Sequence, residues 1–329
     1  MPAPAADEPA PDDEAAEALR RLALDEGAKA AVLADPRLRA IARRVADRYI
    51  AGETPAAALA AIAAVNARGH AASVDYMGES IRDAAAAAEA ARVFVETAGR
   101  LAERRLDCSL SLDLSHIGLL VDRDLCLRSA AAIAEAAAAF GSELIISAEG
   151  SDRTGAILDC HARLCERFDN VGLRVQARLH RSERDLSALL DRPGRICLVK
   201  GAYHEPPEVA IPRTSPALAD AFAAYADALV ASGHRCSIAT HDHALQERAV
   251  ESLRLHGRQA TASPAERTVE FETLQGLGDA GIDALRDAGL ATRIYVVFGS
   301  EWFLYVCNRI AEQPGVRIAR AVADAGRTL

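Results

Sequence analysis

The sequence predicts an α/β chain folded as a (β/α)8 barrel of the TIM type with an N-terminal helical extension. Eight short runs rich in β-branched and apolar residues follow one another from Ser73 onward. The runs between them, such as RSAAAIAEAAAAF and ALADAFAAYADALVA, are long enough for helices that cross over between parallel neighbours. The array takes up about 250 residues, the usual size of such a barrel. Periodicity alone fits a doubly wound open sheet as well. The barrel is preferred because no G-x-G-x-x-G follows an early strand and G-x-x-x-x-G-K-[ST] is absent.

Taken in order, the opening MPAPAADEPAPDDEAAE is rich in Pro, Ala and acids and lacks a basic or strongly apolar segment. Residues 1–16 are therefore expected to form a disordered leader and not a signal peptide. Residues 17–70 read as helix, because Leu19, Leu22 and Leu24, then Leu38, Ile41, Ala42, Val45 and Tyr49 recur at spacings of three and four. Residues 71–329 carry the barrel. Its strands are expected at Ser73 to Met77, Cys108 to Ser115, Glu143 to Glu149, Val171 to Ala177, Arg195 to Gly201, Cys236 to Thr240, Val269 to Leu274 and Thr292 to Phe298.

Composition sets limits on function. Acids outnumber bases 47 to 38, for a net charge of −9, which argues against a nucleic-acid surface. The seven cysteines are odd in number and form no C-x-x-C, so the chain predicts neither a disulfide framework nor a zinc knuckle, and a reducing cytoplasm is the simple location. No apolar run reaches the length of a transmembrane helix.

In such a barrel the reacting groups project from the C-terminal ends of the strands. Those ends hold Asp75 and Glu79; Asp113, Ser115 and His116; Ser147 and Glu149; Gln176 and Arg178; Lys200 and Tyr203; Thr240, His241 and Asp242; and Glu272 and Gln275. A last helix adds Tyr305, Asn308, Arg309 and Glu312. A lysine followed by glycine can reach a ligand anion and let backbone and ligand approach closely, although a strand end of this kind is as often a surface lysine beside a rim tyrosine. The set Asp113, His116, Glu149, His241 and His243 also leaves room for a metal-dependent hydrolase. That reading needs three of them to converge, whereas His241 and His243 flank Asp242 and are expected to diverge.

The segments LVKGAYHEP, IATHDHAL, VEFETLQGL and YVVFGSEWFLYVCNRIAEQP, in this order, resemble the proline dehydrogenase family. The resemblance runs from about Ser73 to Pro314 and implies FAD at the C-terminal mouth of the barrel, covered by a helix with a Y-x-x-R-R-x-x-E motif. Matched position by position, it implies a flavin contact for Gln176, a flavin-side lysine and glycine at Lys200 and Gly201, and a cofactor cradle at Thr240 and His241. Tyr203 and Tyr305 match active-site tyrosines, and Arg309 and Glu312 match the second arginine and the glutamate of the helix motif.

Four positions depart from the family. Asp113 stands where a lysine is expected, Ser147 where an aspartate is expected, Cys197 where an arginine approaches the flavin, and Asn308 in place of the first helix arginine. Of the three cations that the family uses to hold a substrate carboxylate, only Arg309 remains. The expectation is a FAD enzyme acting on the C-N bond of an amine or imino acid other than ordinary proline, with quinone or oxygen as candidate electron acceptors. Asp113 then pairs with a substrate ammonium or acts as base, unless it merely salt-bridges Arg309 or Lys200. Arg178 is a candidate to restore a cation. Cys197 reads as a small buried residue or as a thiol beside the ring. The competing class is a catalytically degenerate relative that binds flavin or a small ligand.

Overall fold

A computed structural model describes residues 11–78, 80–258 and 267–326. The expected leader lies largely outside these residues, as does Glu79. Four helices precede the barrel: α1 (Pro11–Leu24), α2 (Glu26–Ala34), α3 (Pro36–Ala46) and α4 (Pro55–Ala67). The first helix thus begins within the segment expected to be a leader. Asp25, Asp35 and Thr54 start the next three, each accepting a backbone N–H of the first turn, and Pro36 and Pro55 follow two of these caps, where a missing N–H costs nothing.

Eight strands then close a parallel barrel in sequence order: β1 (Ala71–Tyr76), β2 (Cys108–Leu112), β3 (Leu144–Ile146), β4 (Val171–Gln176), β5 (Ile196–Val199), β6 (Cys236–Ala239), β7 (Val269–Leu274) and β8 (Thr292–Phe298). Closure is set by the register of β1 on β8, with Val74 opposite Val296 and Asp75 opposite Val297. The helices between strands are α5 (Ala84–Glu103), α6 (Arg123–Ala138), α7 (Ser151–Cys165), α8 (Ser182–Leu189), α9 (Pro216–Ser232), α10 (His243–Leu255) and α11 (Asp279–Asp287). Two more, α12 (Trp302–Ala311) and α13 (Pro314–Gly326), end the described chain.

Several strands are shorter than expected. β2 stops at Leu112, so Asp113 begins a single 3-10 turn over Leu114–His116, and β5 stops at Val199, so Lys200 and Gly201 already belong to the loop. In both cases pairing ends at the last apolar residue, and the polar residue that follows it, counted within the expected strand, already belongs to the loop.

Two features position the functional face. The barrel interior is polar at its base, where Arg293 donates to Glu270 at 2.6 Å and Arg195 donates to Glu143 at 2.8 Å. Burial alone would raise the Glu270 carboxyl, but Arg195 and Arg293 hold it far below the usual range. Above the C-terminal mouth a second apolar cluster joins Tyr49 and Ile50, after α3, to Met77, Leu277, Tyr295 and Val297 from the strand ends and to Trp302, Phe303, Val306 and Ile310 of α12. α1 packs along α12. The helical extension therefore holds α12 over the mouth. Among the described residues no helix is long and apolar enough to cross a membrane.

Candidate active site

Alternation along β4 sends Arg174 and Gln176 to the same side, into the barrel. The Gln176 amide nitrogen donates to the Glu149 carbonyl at 2.9 Å, while its Oε1 is buried without a protein partner. Next to it, Gly201 has a φ of +111°, and a Cβ there would lie 2.8 Å from the Arg178 side chain and 3.0 Å from Gln176 Oε1. Glycine is thus required both by the backbone and by the space in front of Gln176.

The rest of the expected cofactor side is tied together at the ends of β5, β6 and β7. Lys200 Nζ donates to Asp242 Oδ2 at 2.8 Å, and Asp242 also caps α10. Burial raises the Asp242 carboxyl, but Lys200 more than offsets it and the net direction is down. Thr240 Oγ1 accepts the Asp242 N–H at 3.1 Å. His241 Nε2 accepts the Leu274 N–H at 3.0 Å, which places its proton on Nδ1, and burial lowers its pKa to about 4. The imidazole is neutral at physiological pH.

On α12, Tyr305, Arg309 and Glu312 follow at i, i+4 and i+7 and share one face. The Arg309 guanidinium lies 5.2 Å from the centre of the Tyr305 ring and pairs with Glu312 at 2.8 Å. Arg317 closes the group, donating to Glu312 at 2.8 Å and to the Arg309 carbonyl. Burial raises Glu312, but these two arginines hold it low. The Tyr305 hydroxyl and Arg309 Nε are buried without protein partners, and burial pushes the Tyr305 phenol to about 12. Asn308 sits on the same helix, half-buried.

Inside the barrel, just below this mouth, lies a layer that includes the expected Asp75, Ser147, Cys197 and Glu272 but also Arg174, Tyr295 and Ser111, which strand-end reasoning missed. The Tyr295 hydroxyl donates to Asp75, and burial raises the Asp75 carboxyl to about 7 against the opposing effects of Tyr295 and Arg174. Arg174 Nη1 lies 2.9 Å from both Glu272 Oε1 and Cys197 Sγ, and its guanidinium sits over the Tyr295 ring at 5.0 Å. Cys197 is buried, and burial raises its thiol well above the usual range, so it behaves as a small neutral side chain. Ser111 and Ser147 face each other at 3.2 Å. The usable signal was the period of two: stepping back from Gln176 reaches Arg174, and stepping back from Val297 reaches Tyr295.

Other expected positions fall as follows. Asp113 is half-buried at the head of its 3-10 turn, Lys200 pairs with Asp242, and Arg309 pairs with Glu312. Tyr203 is half-buried in the loop after β5. Arg178 does not supply the pocket cation. Its Nη1 donates to the Tyr203 carbonyl and its Nε to the Ile211 carbonyl at 3.1 Å, so it clamps that loop. His116 lies against Tyr76 with the rings tilted and their centres 5.0 Å apart, Glu149 is paired with Arg153 at 2.7 Å, and His243 is exposed. Among the described residues no three His, Cys, Asp or Glu side chains form a metal-ligand group.

Four buried polar atoms without protein partners, on Arg174, Gln176, Tyr305 and Arg309, therefore belong to β4 and α12 at one end of the barrel. Buried polar groups are nearly always satisfied, so this set fits a polar ligand. Tyr295 lies under the Arg174 guanidinium and packs in the same cluster as α12, so the two elements border one site.

Comparison with known proteins gives the context. The family model for proline dehydrogenase matches residues 58–305. Proline dehydrogenase 1 of Bacillus subtilis (strain 168) is 30% identical over 269 residues, covering 82% of this chain and 87% of the relative. Proline dehydrogenase of Deinococcus radiodurans is 29% identical over 291 residues, covering 85% and 91%. The crystal structure of proline utilization A from Bdellovibrio bacteriovorus, inactivated by N-propargylglycine, superposes with a TM-score of 0.76 at 17% identity, and covers 91% of this chain. The match spans 36% of that larger protein. A fold in common with that barrel, a family model over most of the chain and relatives matched along nearly their whole length lead to one conclusion: the chain belongs to the proline dehydrogenase family, flavin-dependent oxidoreductases that act on CH-NH bonds.

Proposed function

We propose that this protein is a FAD-dependent dehydrogenase that oxidises the C-N bond of a small amine or imino acid other than ordinary proline. One observation carries the substrate reading. Where the family resemblance calls for three cations around a carboxylate, the chain has Asp113, Asn308 and Arg309, and Arg309 is already paired with Glu312 at 2.8 Å. An acid in place of a cation disfavours a bound carboxylate by several kcal/mol in a partly desolvated site, on the order of a lost buried charge partner.

The residues present fit a flavin. The unpartnered Gln176 Oε1, the Cβ-free space at Gly201 and the Lys200–Asp242 pair form a polar ledge beside the mouth. Gln176, Lys200, Gly201, Thr240 and His241 would hold the cofactor, which supplies a two-electron acceptor for the substrate hydride. The chain's own task is positioning. Tyr305 and Arg309 form the cover on α12, and the neutral His241 is fixed by Leu274 so that it adds no charge. Hydride loss from carbon requires an unprotonated nitrogen, and Asp113 or Asp75 can take a proton from an ammonium group on the substrate. Asp75, with its pKa at about 7, exchanges protons near neutrality. Seven unpaired thiols go with a cytoplasmic location, and quinone or oxygen serves as acceptor in this reading.

The test is anaerobic titration of the purified, FAD-loaded protein with proline and with a panel of cyclic and secondary amines, following the visible flavin band. Bleaching by another amine, but not by proline, is expected. Rapid bleaching by proline would show that the charge argument at Asp113 and Asn308 fails.

A further inference from the structure

The Arg174 guanidinium is only half accounted for by its protein partners. Its Nη1 is shared by Glu272 Oε1 and Cys197 Sγ, both at 2.9 Å, while Nη2 is buried and donates to nothing. One inward step along the same strand, about 7 Å away, Gln176 has the complementary vacancy: its nitrogen is used by the Glu149 carbonyl and its Oε1 accepts nothing. β4 thus offers a vacant donor and a vacant acceptor on one inward face. A ligand that satisfies both carries an N–H and a hydrogen-bond acceptor along one edge, as the pyrimidine side of an isoalloxazine ring does.

Charge narrows the acceptor further. Arg174 is already matched by Glu272, and Asp75 lies in the same layer, bonded to the tyrosine over which Arg174 stacks. A carboxylate against Nη2 would add another negative charge to a site whose cation is already spent, whereas a carbonyl or ring nitrogen adds none. Cys197 makes the arrangement possible. Its small side chain on β5 lets the guanidinium reach across to within 2.9 Å of Sγ, a space that a longer residue would fill.

We propose that Arg174 is a cofactor-contacting residue, whose Nη2 donates to a neutral acceptor on the flavin ring edge presented to Gln176, and that the small Cys197 on β5 opens this place to an arginine from β4. The proposal rests on the flavin reading above. It assigns to this chain a cation that the strand-end motifs do not contain.

The test uses the full chain in three variants: Arg174→Met, the neutral pair Arg174→Gln with Glu272→Gln, and the cross-strand exchange Arg174→Val with Cys197→Arg. The readouts are the FAD dissociation constant, from quenching of FAD fluorescence, and the midpoint potential of the bound flavin. Losing a charge-assisted hydrogen bond should weaken FAD binding by about tenfold or more and move the potential to more negative values. The exchange variant should recover much of both. If Arg174→Met does not fold, the neutral pair, which keeps size and hydrogen bonding, carries the same measurement. Unchanged affinity and potential in a folded variant overturn the proposal, and so does a loss confined to binding of the amine substrate. Absence of FAD binding by the wild-type protein overturns the flavin reading and the proposal with it. Normal wild-type binding with an indifferent Arg174→Met overturns the proposal alone.

Discussion

Replacing Asp75 by asparagine tests whether the inner layer of the site is as poorly solvated as its contacts imply. In the folded protein burial raises the Asp75 carboxyl from 3.8 to about 7, although the Tyr295 hydrogen bond and the Arg174 charge both act the other way. A carboxyl with a raised folded pKa leaves stability intact below its unfolded pKa and removes it as pH climbs toward the folded value, because the unfolded chain releases its proton first. The window is therefore pH 4 to 7. A shift of about three units at 1.36 kcal/mol each sets an upper limit of about 4 kcal/mol, and water at the mouth reduces it, so about 2 to 4 kcal/mol is expected. The asparagine side chain keeps the shape and an acceptor for Tyr295 but cannot ionise. Urea unfolding of both proteins, at equal flavin saturation, should show Asp75→Asn gaining on the wild type by that amount between pH 4 and pH 8. Subtracting the two curves removes the other titrating groups, which is essential because four histidines, His70, His116, His161 and His241, act in the opposite sense. A constant difference between the two proteins across this range would mean that Asp75 ionises like a solvated carboxylate, and the argument for a dry inner layer would fail.

Burial lowers His116, His161 and His241 from 6.5 to about 4 each. Groups held neutral in the folded state take up protons on unfolding, so the wild-type protein should lose stability steeply as pH falls from 6.5 to 4, by about 2 to 3 kcal/mol per histidine as an upper estimate, and His161→Gln should flatten that slope in thermal melts. Gly201→Ala places a Cβ 3.0 Å from Gln176 Oε1 at a φ of +111°; FAD binding should weaken at least tenfold and stability should fall by about 1 to 3 kcal/mol, as seen by fluorescence quenching and urea titration. Restoring the family cations with Asp113→Lys and Asn308→Arg should raise the rate of flavin bleaching by proline, measured by anaerobic stopped flow, and lower that by the best amine found in the panel.

The barrel was legible in the sequence because its information is local. Each strand is a short β-rich run, each crossover is a helix of sufficient length, and caps such as Asp25, Asp35 and Thr54 stand directly before the turns they start. Strand ends were less legible at Asp113 and Lys200, since the residue at which pairing with the neighbouring strands stops is set by those strands and not by the local run. The motif residues Gln176, Gly201, His241, Arg309 and Glu312 could be picked out because they sit in recognisable segments. Their placement together at one mouth is a property of closure.

The sequence by itself determined the element order, the family resemblance and the positions where family cations are missing. Only the tertiary structure decided which other charged groups face the barrel interior. Arg174 and Arg178 lie four residues apart on and after one strand, so the period of two that leads from Gln176 to Arg174 gives Arg178 the same side, and spacing does not tell which one stays inside the barrel. Pairing β4 with β5 and closing β1 on β8 turns Arg174 toward Cys197, Glu272 and Tyr295, while Arg178 is carried beyond the strand to the carbonyls of Tyr203 and Ile211. Charges are placed by sequence, but a buried charge takes its role from the partners that strands distant in the chain bring to it.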